Sequence, residues 1–149
     1  MENILIPAHS GWRWIVLILL IAAVVKMNIG WKGKKNFTAG DKKLAMFAMI
    51  AYHIQFLVGW ILYIVNFSSK VKFFGGMMAD KMYRFFTVEH SLMMTAAMVL
   101  ITIGYSKSKK AHNDTTKFKR LAVYYTIALV LVLASIPWPF REALGGKWF

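Results

Sequence analysis

The sequence predicts an all-α protein, an antiparallel four-helix transmembrane bundle with both termini on the outer, periplasmic side. Three observations carry that expectation. The 149-residue chain is 58% hydrophobic, with a mean hydropathy of +0.51, above what soluble domains usually show. Its apolar residues fall into four runs, Trp12 to Val25, Leu44 to Phe67, Phe85 to Tyr105 and Leu121 to Phe140, and a membrane span needs about 20 residues at about 1.5 Å each. The formal charge of +13 is concentrated in the connections. Lys26, Lys32, Lys34, Lys35, Lys42 and Lys43 lie in or beside the first, and Lys107, Lys109, Lys110, Lys117, Lys119 and Arg120 in the third. Basic residues gather on the cytoplasmic side of a span, which makes those two connections inner and the 68–83 connection outer. The length suits one integral membrane domain, residues 1–149.

The elements follow in order. Residues 1–10, MENILIPAHS, form an outer lead-in, with Pro7 and Ser10 suited to a helix start and Ser10 to its N-cap. They do not read as a cleavable signal peptide, since Glu2 is present and a basic leading region is not. Trp12 and Trp14 belong to an interfacial aromatic belt. The first run reaches spanning length if Arg13 and Lys26 snorkel from its ends. The turn-rich stretch KGKKNFTAGDKK leads into helix two, which contains Tyr52, His53 and Gln55. The outer connection SSKVKFFGGMMADK has a Gly-Gly break, and its Asp80 can cap helix three. Helix three carries Glu89, His90 and Thr95, followed by alanines that permit close helix packing. After the solvated loop SKSKKAHNDTTKFKR, helix four ends where Pro137 and Pro139 stop it. The tail to Trp148–Phe149 is expected on the outer surface.

Composition excludes several functions. Without cysteine there are no disulfides, thiolate metal sites or cysteine catalysis. A charge of +13 in a soluble protein would suggest nucleic acid; here it is explained by topology, and the lipid bilayer is the expected partner. No phosphate-binding loop, GxSxG or HExxH pattern occurs, so no hydrolase or nucleotide enzyme and no catalytic residue is indicated.

The candidate chemistry lies in the spans. A charged side chain at a helix centre costs roughly 2.5 kcal/mol or more, so it faces the protein interior with a partner. Glu89 and His90 sit about two turns inside helix three. His9, His53 and His90 lie at or within the membrane, whereas His112 is solvated among lysines. Neutral imidazole is an axial ligand of haem, and helical bundles place such ligands on facing helices. Depth limits the pairing. His53 lies ~14 Å from the inner face and His90 ~9 Å from the outer at 1.5 Å per residue. In a core of ~30 Å that is a mismatch of roughly 7 Å, which a tilt of about 20° closes. His9 lies about as far above His90 as His53 lies below it. Both His53–His90 and His9–His90 are therefore open, and a site of all three histidines is the weaker option. The plainer reading is that each makes only an interhelical hydrogen bond. Met93 and Met94 fit packing better than ligation.

Arginine is the second signal. The chain has four arginines against fifteen lysines, and Arg13, Arg84 and Arg141 fall at the outer side. The guanidinium fork suits carboxylates, so these are candidate partners of Glu89, Glu142 or haem propionates. The plain alternative is ion pairing at helix ends. For Glu89 a salt bridge to Arg84 or Arg13 is favoured over proton relay. Trp60, Tyr63, Phe85 and Phe86 would flank a macrocycle or quinone ring, although aromatic residues in bundles are mostly core.

The segments HSGWRW, HIQFLVGWILY, RFFTVEHSLMM and IPWPFREALG resemble those of small four-span bacterial membrane proteins labelled cytochrome B, over nearly the whole chain. The resemblance implies a b-type haem protein with His9, His53 and His90 as the positions to examine. The expectation is thus a multi-pass protein of the bacterial inner membrane. It would hold haem b and transfer electrons within the bilayer, with quinone or other complex subunits as partners. The competing expectation is a haem-free structural or assembly subunit of a larger membrane complex.

Overall fold

The computed structural model describes residues 2–65, 70–145 and 148. The end of the second apolar run at Phe67, Ser68 and Ser69 of the outer connection, and Phe149 lie outside the described residues. The described chain is all-helical. Four helices are long and apolar enough to cross a membrane: α1 (Glu2–Lys32), α2 (Ala39–Val65), α3 (Lys81–Lys109) and α4 (Asp114–Ser135). One π-helical turn, Phe85–Glu89, interrupts α3, and short 3-10 turns cover Met77–Ala79 and Glu142–Leu144.

Local chemistry accounts for most helix ends. Helix α1 begins at Glu2 rather than at Ser10, and Pro7 lies inside it. A proline this close to a helix start removes one rung of the hydrogen-bond ladder and leaves the rest intact. His9 and Arg13, four residues apart, therefore share a helix face. At the other end Lys34 adopts the left-handed conformation, φ 48°. The amides of Lys34 and Lys35 then close back on the carbonyls of Trp31 and Gly30, a terminating motif that usually carries glycine. Thr38 and Asp41 cap α2 reciprocally: the Thr38 amide donates to Asp41 Oδ2 (2.9 Å) and the Asp41 amide to Thr38 Oγ1 (3.3 Å). Asp80 caps α3 as expected, accepting from the amides of Met82 and Tyr83. Asn113 caps α4 through the Thr116 amide.

Helix α1 packs on α2 and α4, and α3 packs on α4 and α2. The inward residues are often small: Ala45, Ala48 and Ala51 on α2, Ala97 and Gly104 on α3, Ala122 and Ala128 on α4. Small side chains let backbones approach, as membrane helices require. A Cβ on Gly30 would run into the Phe118 ring, so any larger residue there forces the ring to move. Polar side chains pin helix to helix by donating into backbone carbonyls, among them Trp12 Nε1 to Ala51 (3.0 Å), Tyr52 Oη to Met94 (3.1 Å) and Tyr125 Oη to Ala45 (2.8 Å). The outward faces are also apolar, with Ile18, Leu57, Ile64, Leu92 and Val130 exposed. Helices that are apolar all round belong in a large core or in lipid.

Candidate functional site

A cavity of about 340 Å³ lies among the four helices near the Pro137 end of α4. His9 and Arg13 of α1, Gln55 and Gly59 of α2, and His90 and Met94 of α3 are part of its lining.

His90 is held by the end of α4. In a helix the Leu133 and Ser135 carbonyls would accept from the amides of residues 137 and 139. Both are prolines and carry no N–H. Each carbonyl takes a side-chain donor instead: Trp138 Nε1 to Leu133 (2.9 Å) and His90 Nδ1 to Ser135 (2.7 Å). A carbonyl only accepts, so Nδ1 carries the proton and Nε2 keeps its lone pair. The rings of Phe85 and Phe86 flank the imidazole at 5.6 and 6.5 Å between centroids.

The π turn just before His90 shapes the same region. The His90 amide reaches back five residues to the Phe85 carbonyl. Thr87 inside the turn is buried, and its carbonyl accepts from Tyr63 Oη of α2 (3.1 Å) and Ser91 Oγ (3.0 Å). Wider winding also brings residues five apart to one side. That is why Arg84 Nε reaches Glu89 Oε1 at 2.7 Å. The salt bridge expected for Glu89 is therefore made to Arg84, and it is part-exposed.

His9 faces His90 from α1, and the two imidazoles lie within electrostatic reach of each other and of Arg13. Gln55 Nε2 donates to the His9 carbonyl at 2.9 Å. The imidazole lies on α2 at Gly59, where an added Cβ would come 3.1 Å from Cε1. Two buried atoms here, His9 Nδ1 and Gln55 Oε1, have no hydrogen-bond partner among the described residues. A buried polar atom without a partner costs about 1–3 kcal/mol, and both belong to residues that line the cavity.

The remaining candidates are placed elsewhere. His53 lies at the α2–α3 contact outside the cavity lining, with Nδ1 bonded to the Met49 carbonyl of its own helix (2.7 Å) and Nε2 3.2 Å from Thr102 Oγ1. The structure thus brings His9 together with His90 and leaves His53 apart from them. Among the described residues no three His, Asp or Glu side chains gather in one cluster. Arg13 is 9% exposed and donates from Nη2 to the Trp148 carbonyl at 2.8 Å. Arg84 and Arg141 do not line the cavity. Arg141 lies over the Phe85 ring at 4.9 Å and donates to the Ala134 carbonyl. Met94 reaches the cavity, while Met93 is exposed.

Gln55, Gly59 and Ser135 carry no functional reading in the sequence. Tyr52, Gln55, Gly59 and Tyr63 form one stripe along α2 at spacings of three and four. A lone glutamine on that stripe of a span was the available sign. Nothing local marks Ser135, because its role follows from a proline four residues on. No family model matches this chain, and neither does any curated protein or solved structure.

Proposed function

We propose that the protein is a small b-type cytochrome-like protein of the bacterial inner membrane. In this reading it is an antiparallel four-helix bundle with both termini on the periplasmic side. It holds haem b between His9 and His90 and passes electrons within the bilayer, with quinone as a partner. The observation that carries the reading is the pair of imidazoles on one cavity, one of them with Nδ1–H fixed on a carbonyl and its lone pair left on Nε2. A hydrogen bond at the second ring nitrogen is how ligating histidines are oriented. The orphaned His9 Nδ1 and the apolar wall from Val16, Leu17 and Val132 fit the same group. The resemblance noted in the sequence points the same way.

Bound haem supplies a one-electron couple at iron. This chain's residues do the rest. His90 and His9 would offer nitrogen donors to the haem, the Ser135 carbonyl orients the His90 ring, and Arg13 would offer a cation to a carboxylate of the group.

Reduced-minus-oxidised spectra of the protein purified with ample haem test this. A six-coordinate b-type spectrum is expected, lost in His90→Ala and in His9→Ala and retained in His53→Ala. Arg13→Leu should lower the midpoint potential by on the order of tens of millivolts, because a nearby cation favours the reduced iron. Arg84→Leu, away from the cavity, should leave it unchanged. A colourless protein would sink the haem reading in favour of a structural or assembly subunit. Loss of the spectrum in His53→Ala alone would overturn the pairing.

A further inference from the structure

We propose that a second pocket, at the opposite, lysine-rich end of the helices, binds the phosphate of an anionic phospholipid headgroup. This pocket, about 260 Å³, lies where α2 begins, α3 ends and α4 begins. It is independent of the histidine cavity and of what that cavity holds.

Three lysines from three different helices line it: Lys42, Lys109 and Lys117. Aromatic faces hold two of them, with Lys117 Nζ 5.7 Å over Phe37 and Lys109 Nζ 6.0 Å over Tyr105. Lys117 also meets Asp114 at 3.3 Å. Among the described residues neither Lys42 nor Lys109 forms an ion pair. The surrounding connections do not offset this charge. The twelve basic residues of the 26–43 and 107–120 stretches face only two acids, Asp41 and Asp114, and Asp41 is buried and committed to Thr38 and Lys26. The start of α2 at Ala39 and the end of α3 at Lys109 bring helix dipoles of opposite sign to the same pocket, so its positive charge is that of the lysines. Compact ammonium groups around a concavity suit a phosphate.

The apolar part of the lining decides the source of the phosphate. Phe37 and Leu121 lie beside the lysines, so the pocket has a greasy side as well as a cationic one. It sits at the ends of three of the four helices apolar enough to cross a membrane, and helix ends meet a bilayer where headgroups meet acyl chains. Basic pockets between spanning helices suit anionic headgroups. A soluble phosphate would use the lysines and leave the apolar side unused.

The test uses the full-length protein in phosphatidylcholine vesicles doped with spin-labelled phosphatidylglycerol, with the immobilised fraction giving relative lipid association. Phosphatidylglycerol should be enriched over phosphatidylcholine at the protein. The double variant Lys42→Gln/Lys109→Gln should lose about fivefold of that preference per lysine. Lys34→Gln/Lys35→Gln removes the same charge at the same end but outside the pocket, and should keep most of it. Circular dichroism checks that both variants fold. Equal losses in the two variants would mean diffuse attraction and overturn the site. In a third arm, inorganic phosphate is titrated calorimetrically into the undoped vesicles. Binding that depends on Lys42 and Lys109, with no phosphatidylglycerol enrichment, would overturn the lipid assignment. Enrichment lost only in the pocket variant supports it.

Discussion

Pro139 decides where His90 points. Because its nitrogen carries no proton, the Ser135 carbonyl is left to His90 Nδ1 at 2.7 Å. His53 is fixed by the opposite circumstance, since the nearest acceptor is the Met49 carbonyl of its own helix at 2.7 Å. Two histidines that look alike in sequence therefore face different neighbours for reasons outside their own positions. The same scale separates two kinds of packing residue. Tyr125 is fully buried, and its hydroxyl donates to an Ala45 carbonyl that α2 can also serve from within. Tyr125→Phe removes a bond and leaves no orphan, so it should cost about 0.6 kcal/mol, the usual figure for an interhelical hydrogen bond in a membrane protein. Gly30→Ala forces a methyl into the Phe118 ring. Overpacking of that kind costs about 1–3 kcal/mol, and unfolding in detergent should rank Gly30→Ala as clearly the worse of the two. The reverse order would mean that the α1–α4 approach is looser than the structure has it.

At the scale of the element, α3 is the helix that departs from a uniform rod. Its π turn adds one residue to a turn and so shifts the phase between its two ends by about 100°. That extra residue aligns Arg84 with Glu89 and turns the Thr87 carbonyl toward Tyr63. Thr87 also ties the connection before α3 to that helix, because its hydroxyl accepts the Lys72 amide at 3.1 Å. Thr87→Val keeps the shape and removes the acceptor. The Lys72 amide should then exchange with solvent faster, read by hydrogen–deuterium exchange and mass spectrometry, while peptides from the middle of α4 stay protected. Unchanged exchange at Lys72 would show that this tie is not what orders the connection. The Arg84–Glu89 pair is part-exposed, and Glu89→Gln should change stability by less than about 1 kcal/mol. The four spans were legible because apolar runs of about 20 residues have few other meanings. The Asp80 cap was legible because capping is local. The pairing of the histidines was not. Histidine depth follows from sequence only if the helices are uniform, yet α1 starts before Pro7 rather than at Ser10, and α3 contains an inserted residue. Each departure displaces the histidine that follows it.

For the whole molecule, the histidine cavity and the lysine pocket lie at opposite ends of the helices. The lysine end holds twelve of the nineteen basic residues and two of the six acids, a net +10, against +3 elsewhere. If that asymmetry sets orientation, reporter fusions after Lys35 and after Lys110 should read as cytoplasmic, and one after Phe149 as periplasmic. A cytoplasmic reading after Phe149 would invert the molecule and put the histidine cavity on the inner side. Between the two ends, the helices are joined by Trp12, Tyr52, Gln55, His90 and Tyr125, each donating to a peptide oxygen on a neighbouring helix. Every residue type carries that oxygen. Each of these ties is consequently written once in the sequence, in the donor, and the bond itself asks nothing of the side chain at the partner position. A search for paired substitutions would pass over them, since the bond to Ala45, Ala51 or Ser135 calls for no answering change at the donor. The adjacency of these helices is stored in solitary polar letters, and a reader of the sequence must weigh each one by itself.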